Sequence, residues 1–144
     1  MNGAEYLRKV GDAIKEIQAL DRKIALCRMK ADATPDTSFS DEPRGTSNGG
    51  SREAPFVRWV YKALELEGKC GAKAAELDSM KEETVRLIGL IPDATKQMVL
   101  AERYVEAKSW SEIASDVGYS KTHVYRLHEE CMWELERVEA KDGS

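Results

Sequence analysis

The sequence predicts an all-α protein made of an N-terminal antiparallel helical hairpin and a C-terminal trihelical unit that contains a helix-turn-helix. Apolar residues recur at three- and four-residue spacing along most of the 144 residues. A polar stretch at residues 32–54 interrupts that pattern. Residues 110–129 combine small residues, caps and apolar positions in the order of two short helices joined by a tight turn. We therefore expect two domains, 1–91 and 92–144.

The hairpin is predicted from two helices on either side of the polar stretch. The first helix should cover residues 4–31, where a coiled-coil-like stripe with interruptions is formed by Leu7, Val10, Ile14, Ile17 and Ile24. Residues 32–54 are rich in Ser, Thr, Gly, Pro and Asp, and Phe39 is their only large apolar residue. Such a composition cannot bury a core, so we expect a disordered linker that lets the helices pair.

The second helix should run from about Pro55 to Leu90, since proline suits a first helical turn. A stripe that can face the first helix consists of Leu66, Cys70, Leu77, Met80, Thr84, Leu87 and Ile91. Gly68 and Gly71 weaken this helix, and we expect a kink or a close helix contact near them. Trp59 should cover the hairpin.

Three helices are predicted for the C-terminal unit, over about 92–107, 110–117 and 120–138. The first should bury Met98, Ala101, Tyr104 and Val105, and the last should bury Val124, Leu127, Cys131, Leu135 and Val138. Trp110 and Trp133 are expected to pack where these helices meet, because packing is the usual role of such large aromatic residues.

The helix-turn-helix prediction depends on five residues that cap the two helices or let them cross closely. Ser109 and Glu112 have the spacing of a capping box. Ala114 allows two helices to cross closely, and Gly118 suits the left-handed backbone that ends a helix. Ser120 stands where the next helix needs its N-cap. An ordinary helical hairpin with the same spacing is the alternative interpretation.

A DNA-binding helix-turn-helix places its second helix in the major groove, with the residues of its N-terminal part at the base edges. The candidate DNA-binding residues are therefore Ser120, Lys121, Thr122, His123, Tyr125 and Arg126. The cationic side chains among them can donate to guanine or phosphate, and the others offer hydrogen bonds or contacts to a thymine methyl group. Lys108 is expected near the same groove.

The composition limits the other function classes. The net charge is −4, so non-specific DNA affinity should be weak, and a partner that holds the protein on DNA would suit this balance. The three cysteines have no disulfide or C-x-x-C spacing, and His128 with Cys131 lacks a second ligand pair for a metal. We expect no cofactor, no catalytic residues and no enzymatic activity, because no phosphate loop or catalytic constellation is present. No membrane span or signal peptide is evident, so a cytoplasmic protein is expected.

Five stretches carry a resemblance to known proteins, namely Met1 to Leu7, Pro92-Asp93, Arg103-Tyr104, Trp110 to Ala114 and Tyr119 to His128. The last fifty or so residues resemble the fourth region of bacterial sigma factors, and nearly the whole chain resembles a group of phage regulators, the RinA- or ArpU-like late transcription activators. The resemblance implies activation of phage late genes in the host bacterial cytoplasm, from a promoter element read by Lys121, Thr122 and Tyr125, with Arg126 beside them. The arginine and glutamate of primary sigma factors are absent from these positions, which favours a phage-specific DNA sequence.

Two other functions remain open at this point. A small terminase subunit also combines a helix-turn-helix with coiled-coil helices, although that class more often carries it at the N-terminus. A helical adaptor or anti-sigma-like protein would use the helix-turn-helix to bind protein, and the acidic balance of residues 92–144, seven basic against eleven acidic side chains, supports it. Double-stranded DNA, host RNA polymerase and a second copy of the chain are the partners to consider.

Overall fold

The computed structural model describes residues 1–33 and 54–141, and the all-α prediction is confirmed for them. This part of the chain contains the helices α1 (Gly3–Ala33), α2 (Pro55–Ser79), α3 (Lys81–Gly89), α4 (Ala94–Tyr104), α5 (Trp110–Val117) and α6 (Lys121–Leu135). The predicted linker lies almost wholly at residues 34–53, outside the described residues. None of the helices in the described ranges has both the length and the apolar character that a membrane span requires.

The single helix predicted over residues 55–90 is wrong, because Met80 separates α2 from α3. The Met80 amide donates to the Leu77 carbonyl at 3.0 Å, in a turn tighter than an α-helix. The Met80 carbonyl then accepts from the Thr84 hydroxyl at 2.8 Å and from the Tyr6 hydroxyl at 3.4 Å. The two side-chain donors and the buried Met80 side chain fix the break where the sequence pattern shows none.

Contacts divide the chain into two compact units, and they do not follow the boundary predicted after residue 91. The first unit combines residues 1–16 with the chain from Lys73 onwards, and the second consists of Ile17–Ala72. The apolar stripe of the early part of α1 explains the difference, because it enters the same core as α4 and α6 rather than the hairpin.

The core of the first unit joins residues that are far apart in sequence. Its fully buried large side chains include Leu7, Val10, Leu87, Ile91, Leu100 and Leu135. Gly3 lies against the end of α6, where an added Cβ would come within 3.1 Å of the Leu135 carbonyl oxygen. The Gly3 amide donates to the Val138 carbonyl at 2.7 Å, and an isolated β-bridge joins Asn2 to Glu139. The end of α6 is therefore held by the start of α1.

The second unit is a helical hairpin of α1 and α2 with a small apolar interior. The interior consists of Leu20, Ile24, Cys27, Trp59, Ala63 and Leu66, which confirms that Trp59 covers the hairpin. Arg28 donates to Glu67 at 2.6 Å across the two helices. The kink or close contact predicted at Gly68 and Gly71 is not found, because α2 continues through both and a Cβ at either would meet nothing within 4 Å.

Candidate nucleic-acid interface

The first helix of the predicted motif, α5, begins at the capping box that the sequence indicates. The Ser109 amide donates to the Glu112 carboxylate at 3.0 Å, and the Glu112 amide donates to the Ser109 hydroxyl at 3.2 Å. The backbone bond from Ser109 lowers the pKa of Glu112, and the Ser109 side chain adds to it. The box satisfies two amides that the first turn would otherwise leave without partners.

The turn between α5 and α6 is the one that the motif requires. Gly118 has φ 79°, in the left-handed region, and its amide donates to the Ala114 carbonyl at 2.9 Å. Ser120 is extended and its hydroxyl accepts from the His123 amide at 3.2 Å, which caps α6. The predicted roles of Gly118 and Ser120 are confirmed, and the turn sets where α6 starts.

Behind this turn, α5 and α6 pack on α4 through a separate apolar cluster. Its buried members are Val99, Ile113, Ala114 and Val124, with Trp110, Val117 and Leu127 packed around them. Ala114 is 7% exposed at the centre of this cluster, which agrees with its predicted role at a close helix crossing. These apolar residues of α5 and α6 thus face inward, and the opposite face of α6 is left towards solvent.

Five of the six candidate DNA-binding residues are exposed at the start of α6, namely Ser120, Lys121, Thr122, Tyr125 and Arg126. His123 is half-buried. We call these six residues the α6 donor surface. Its cationic groups, its hydroxyls and the positive, N-terminal end of the α6 dipole all attract phosphate or base acceptors. Their contact with DNA stays a prediction.

The side chains of the donor surface are held by neighbours. Arg126 Nη2 lies 2.7 Å from His123 Nδ1, and the His123 ring lies 4.4 Å from the Tyr119 ring. Tyr125 packs against Trp110 in an edge-on arrangement with ring centroids 5.2 Å apart. Such contacts reduce the rotamer freedom that binding would otherwise remove. Sequence reasoning gave no such role to Tyr119, although an aromatic residue just before an N-cap was a usable signal.

An aromatic cluster behind the donor surface contains one strongly perturbed histidine. His128 Nε2 is 2.6 Å from the Tyr104 hydroxyl, and the Trp110 ring contacts the imidazole edge-on at 5.0 Å. Burial, and then the charges of Arg103 and Arg8, lower the pKa of His128 to about 4. Burial also raises the pKa of Tyr104 to about 12. His128 is therefore neutral near pH 7 and has a structural role.

Lys108 does not contribute a free positive charge to this surface, contrary to the expectation that it would serve the groove. Its ammonium lies 2.8 Å from Asp116, 3.4 Å from Glu106 and 3.6 Å from Glu102. The hydrogen bond to Asp116 is the main reason that the pKa of Lys108 is raised. Glu102 is 6% exposed, and burial raises the pKa of its carboxyl group. This cluster links the loop between α4 and α5 to both helices. Its three carboxyl groups outnumber its one ammonium group, so the region offers no net positive charge to DNA.

The second half of α6 differs from the first half in charge. Glu130 and Glu134 both pair with Lys96 of α4, at 3.2 and 3.0 Å. Trp133 is 59% exposed, so its predicted packing between the helices is wrong. Its ring instead lies 4.4 Å beneath the Arg137 guanidinium. Position 133 falls on the outer face of α6, on the same side as Thr122 and Arg126, which keeps it out of the core.

Two further predictions about α4 and the cysteines can be compared with the structure. Met98 is 44% exposed and does not belong to the buried face of α4, because its neighbours Val99 and Leu100 take that face. Cys131 is buried with its sulfur 4.0 Å from the Lys96 carbonyl oxygen. Within residues 1–33 and 54–141, no group of three or more His, Cys, Asp or Glu side chains is arranged to hold a metal ion.

Comparison with protein-family models, with curated proteins and with solved structures finds no match for this chain.

Proposed function

We propose that this protein binds double-stranded DNA by placing the first half of α6 in the major groove, and that it regulates transcription. The observation that carries the proposal is the α6 donor surface next to a capped turn with left-handed Gly118. An ordinary hairpin requires neither a fixed start for its second helix nor a row of exposed donors there. Both are what a recognition helix uses at base edges.

The resemblance to RinA- or ArpU-like activators supports a more specific proposal. The chain would then be a phage regulator that activates late genes from a sigma-like promoter element in the host cytoplasm, with host RNA polymerase as a partner. Trp110 to Ala114 and Tyr119 to His128, the motif residues of the resemblance, form α5, the turn and the first half of α6. The specific DNA sequence would be read by Lys121, Thr122, Tyr125 and Arg126.

The charges suggest that recognition depends on few contacts. Lys121 and Arg126 are the only cations of the α6 donor surface, and Lys108 is occupied by three carboxylates. Glu129 follows on the exposed side of α6, one turn after Arg126. A protein that neutralises few phosphates has a shallow salt dependence and weak non-specific binding. Most of its discrimination would come from contacts to base edges.

In vitro selection of bound DNA with the full chain, followed by footprinting, tests the proposal. Arg126→Ala should weaken binding to the selected site by about 1–3 kcal/mol if the contact is bidentate to a base. Lys121→Ala has a matched control in Lys81→Ala, because each lysine is exposed and is the first residue of its helix. Binding should fall for Lys121→Ala and stay unchanged for Lys81→Ala. The proposal would be contradicted if Arg126→Ala and Lys121→Ala bind the selected site as tightly as the parent protein does. Failure to select any DNA sequence would also contradict it.

A protein-binding adaptor is the second candidate, and the second half of α6 favours it. Trp133 is exposed, and its neighbours on α6, Glu129, Glu130 and Glu136 against Arg137, carry more negative than positive charge. Such a surface suits a basic protein segment better than DNA. The two functions separate by mutation. Under the DNA proposal, Trp133→Ala leaves binding to the selected site intact and Arg126→Ala weakens it. If no DNA site is selected and a polymerase preparation retains the parent chain but not Trp133→Ala, the adaptor function replaces the first proposal.

A further inference from the structure

Helix α2 has a second apolar stripe, on the side away from α1. It consists of Val57, Tyr61, Leu64, Gly68 and Gly71, which we call the outer seam. The steps between them are four, three, four and three residues, the spacing with which one helix meets another along a coiled-coil seam. The residues that face α1 are Trp59, Ala63 and Leu66, and they lie on the opposite side of the helix.

Apart from the half-buried Val57, the outer seam is exposed in the described part of the chain. Tyr61 is 60% and Leu64 is 52% exposed, and a Cβ at Gly68 or Gly71 would have no neighbour within 4 Å. Among the residues that the structure describes, the buried interior of the hairpin consists of Cys27, Ala63 and Leu66. A two-helix unit with so small a core and large apolar side chains outside gains stability by covering that outer side.

The two glycines carry a cost that the hairpin does not explain. Glycine inside a helix is about 1 kcal/mol less favourable than alanine. Neither Gly68 nor Gly71 has a positive φ, and within residues 1–33 and 54–141 no neighbour lies within 4 Å of where a Cβ would stand. What glycine does provide on a helix surface is room for the backbone of another helix, at the same spacing as Tyr61 and Leu64.

Charges at one edge of the outer seam indicate which helix fits. Arg58 follows Val57 and Glu65 follows Leu64, so both lie along the same edge of the seam with opposite signs. In an antiparallel pair of two copies of α2, this edge of one helix runs beside the same edge of the other helix in the opposite direction. Arg58 then lies opposite Glu65 of the second copy, and Glu65 opposite Arg58 of the second copy. A symmetric contact of this kind is self-complementary and closes as a dimer.

We propose that the outer seam is a dimer interface, in which α2 of two copies of this chain pair antiparallel. Tyr61 and Leu64 form its centre, Gly68 faces the first turn of α2 of the second copy and permits close approach there, and the Arg58–Glu65 pairs set the direction. The proposal does not rest on DNA binding, since the interface lies outside the α6 donor surface and its test uses no DNA. A dimer would also give a regulator two reading helices.

The test is the mass of the full chain in solution, measured by sedimentation equilibrium over a range of concentrations. The parent should be a dimer, and Leu64→Glu should be a monomer where the parent is fully dimeric. Val85→Glu is the matched control, because Val85 is an equally exposed apolar helical residue, also at 52%, and lies on α3. It should leave the dimer intact. A monomeric parent, or a dimer that Leu64→Glu leaves unchanged, would overturn the proposal.

Two further variants separate loss of the interface from loss of the fold. Gly68→Leu adds a side chain into open space, so the hairpin should keep its helical circular dichroism while the dimer dissociates. Arg58→Glu alone should weaken association at least tenfold, and Arg58→Glu with Glu65→Arg should restore it, since both contacts are then reversed together. If the double variant associates no better than the single one, the antiparallel pairing is wrong. A Gly68→Leu protein that stays dimeric at every concentration also rejects the seam.

Discussion

The neutral, buried state of His128 makes a quantitative prediction about stability and pH. Burial and two nearby arginines lower the pKa of His128 from 6.5 to about 4. Between these two values the unfolded chain binds a proton at this residue and the folded chain does not. Stability therefore falls as the pH falls from about 6.5 to about 4. At about 1.4 kcal/mol for each unit between the two pKa values, the loss at pH 4 is about 3 kcal/mol.

The variant His128→Gln isolates this contribution, because an amide can hydrogen-bond to the Tyr104 hydroxyl and does not titrate. Urea unfolding should be followed at several pH values between 4 and 7.5 for both proteins. Carboxylates such as Glu83, whose pKa is lowered chiefly by Arg86, also make the folded state less stable as the pH falls. They do so equally in both proteins, so their contribution cancels when the two free energies of unfolding are subtracted. The parent should lose about 3 kcal/mol more than the variant over this range. If the free energies of unfolding of the parent and of His128→Gln fall in parallel as the pH is lowered, the reasoning is refuted.

Three other predictions concern close packing and the turn. Ala114→Leu should destabilise the protein by about 1–3 kcal/mol through overpacking, while Ala25→Leu at an exposed position of α1 should have little effect in the same thermal unfolding experiment. Gly3→Ala should lower the melting temperature, because its Cβ would press on the Leu135 backbone at 3.1 Å. Gly89→Ala, with open space around it, should not lower it. Gly118→Ala should cost about 1 kcal/mol through its left-handed backbone, measured as a shift in the urea midpoint.

Features that depend on a few neighbouring residues could be predicted from the sequence. The Ser109–Glu112 box, the left-handed Gly118 and the Ser120 cap are all as predicted, because each is closed by bonds within four residues. The local chemistry of these residues leaves few alternatives for the backbone. This is why the start of α6, and hence the exposure of Lys121, could be located without a structure.

Features that depend on distant partners could not be predicted in the same way. The stripe of Leu7 and Val10 showed that one side of α1 would be buried, but periodicity does not name the surface that buries it. Met80 ends α2 because Tyr6 and Thr84 donate to its carbonyl, and no local signal marks that break. The position of Lys108 in the sequence suggests that it lies near DNA, whereas its ammonium group is paired with carboxylates from α4 and α5.

The core that joins the start of α1 to the end of α6 has a consequence for synthesis on the ribosome. Leu7 and Val10 emerge early, but the Cys131–Leu135 segment that shares their core is made more than a hundred residues later. At about 5–20 residues per second, that interval is on the order of ten seconds. Helices α5 and α6 can form within microseconds of leaving the ribosome, so the slow step is the wait for the last helix. During that wait the apolar side of the nascent α1 lacks the part of its native cover that α6 supplies.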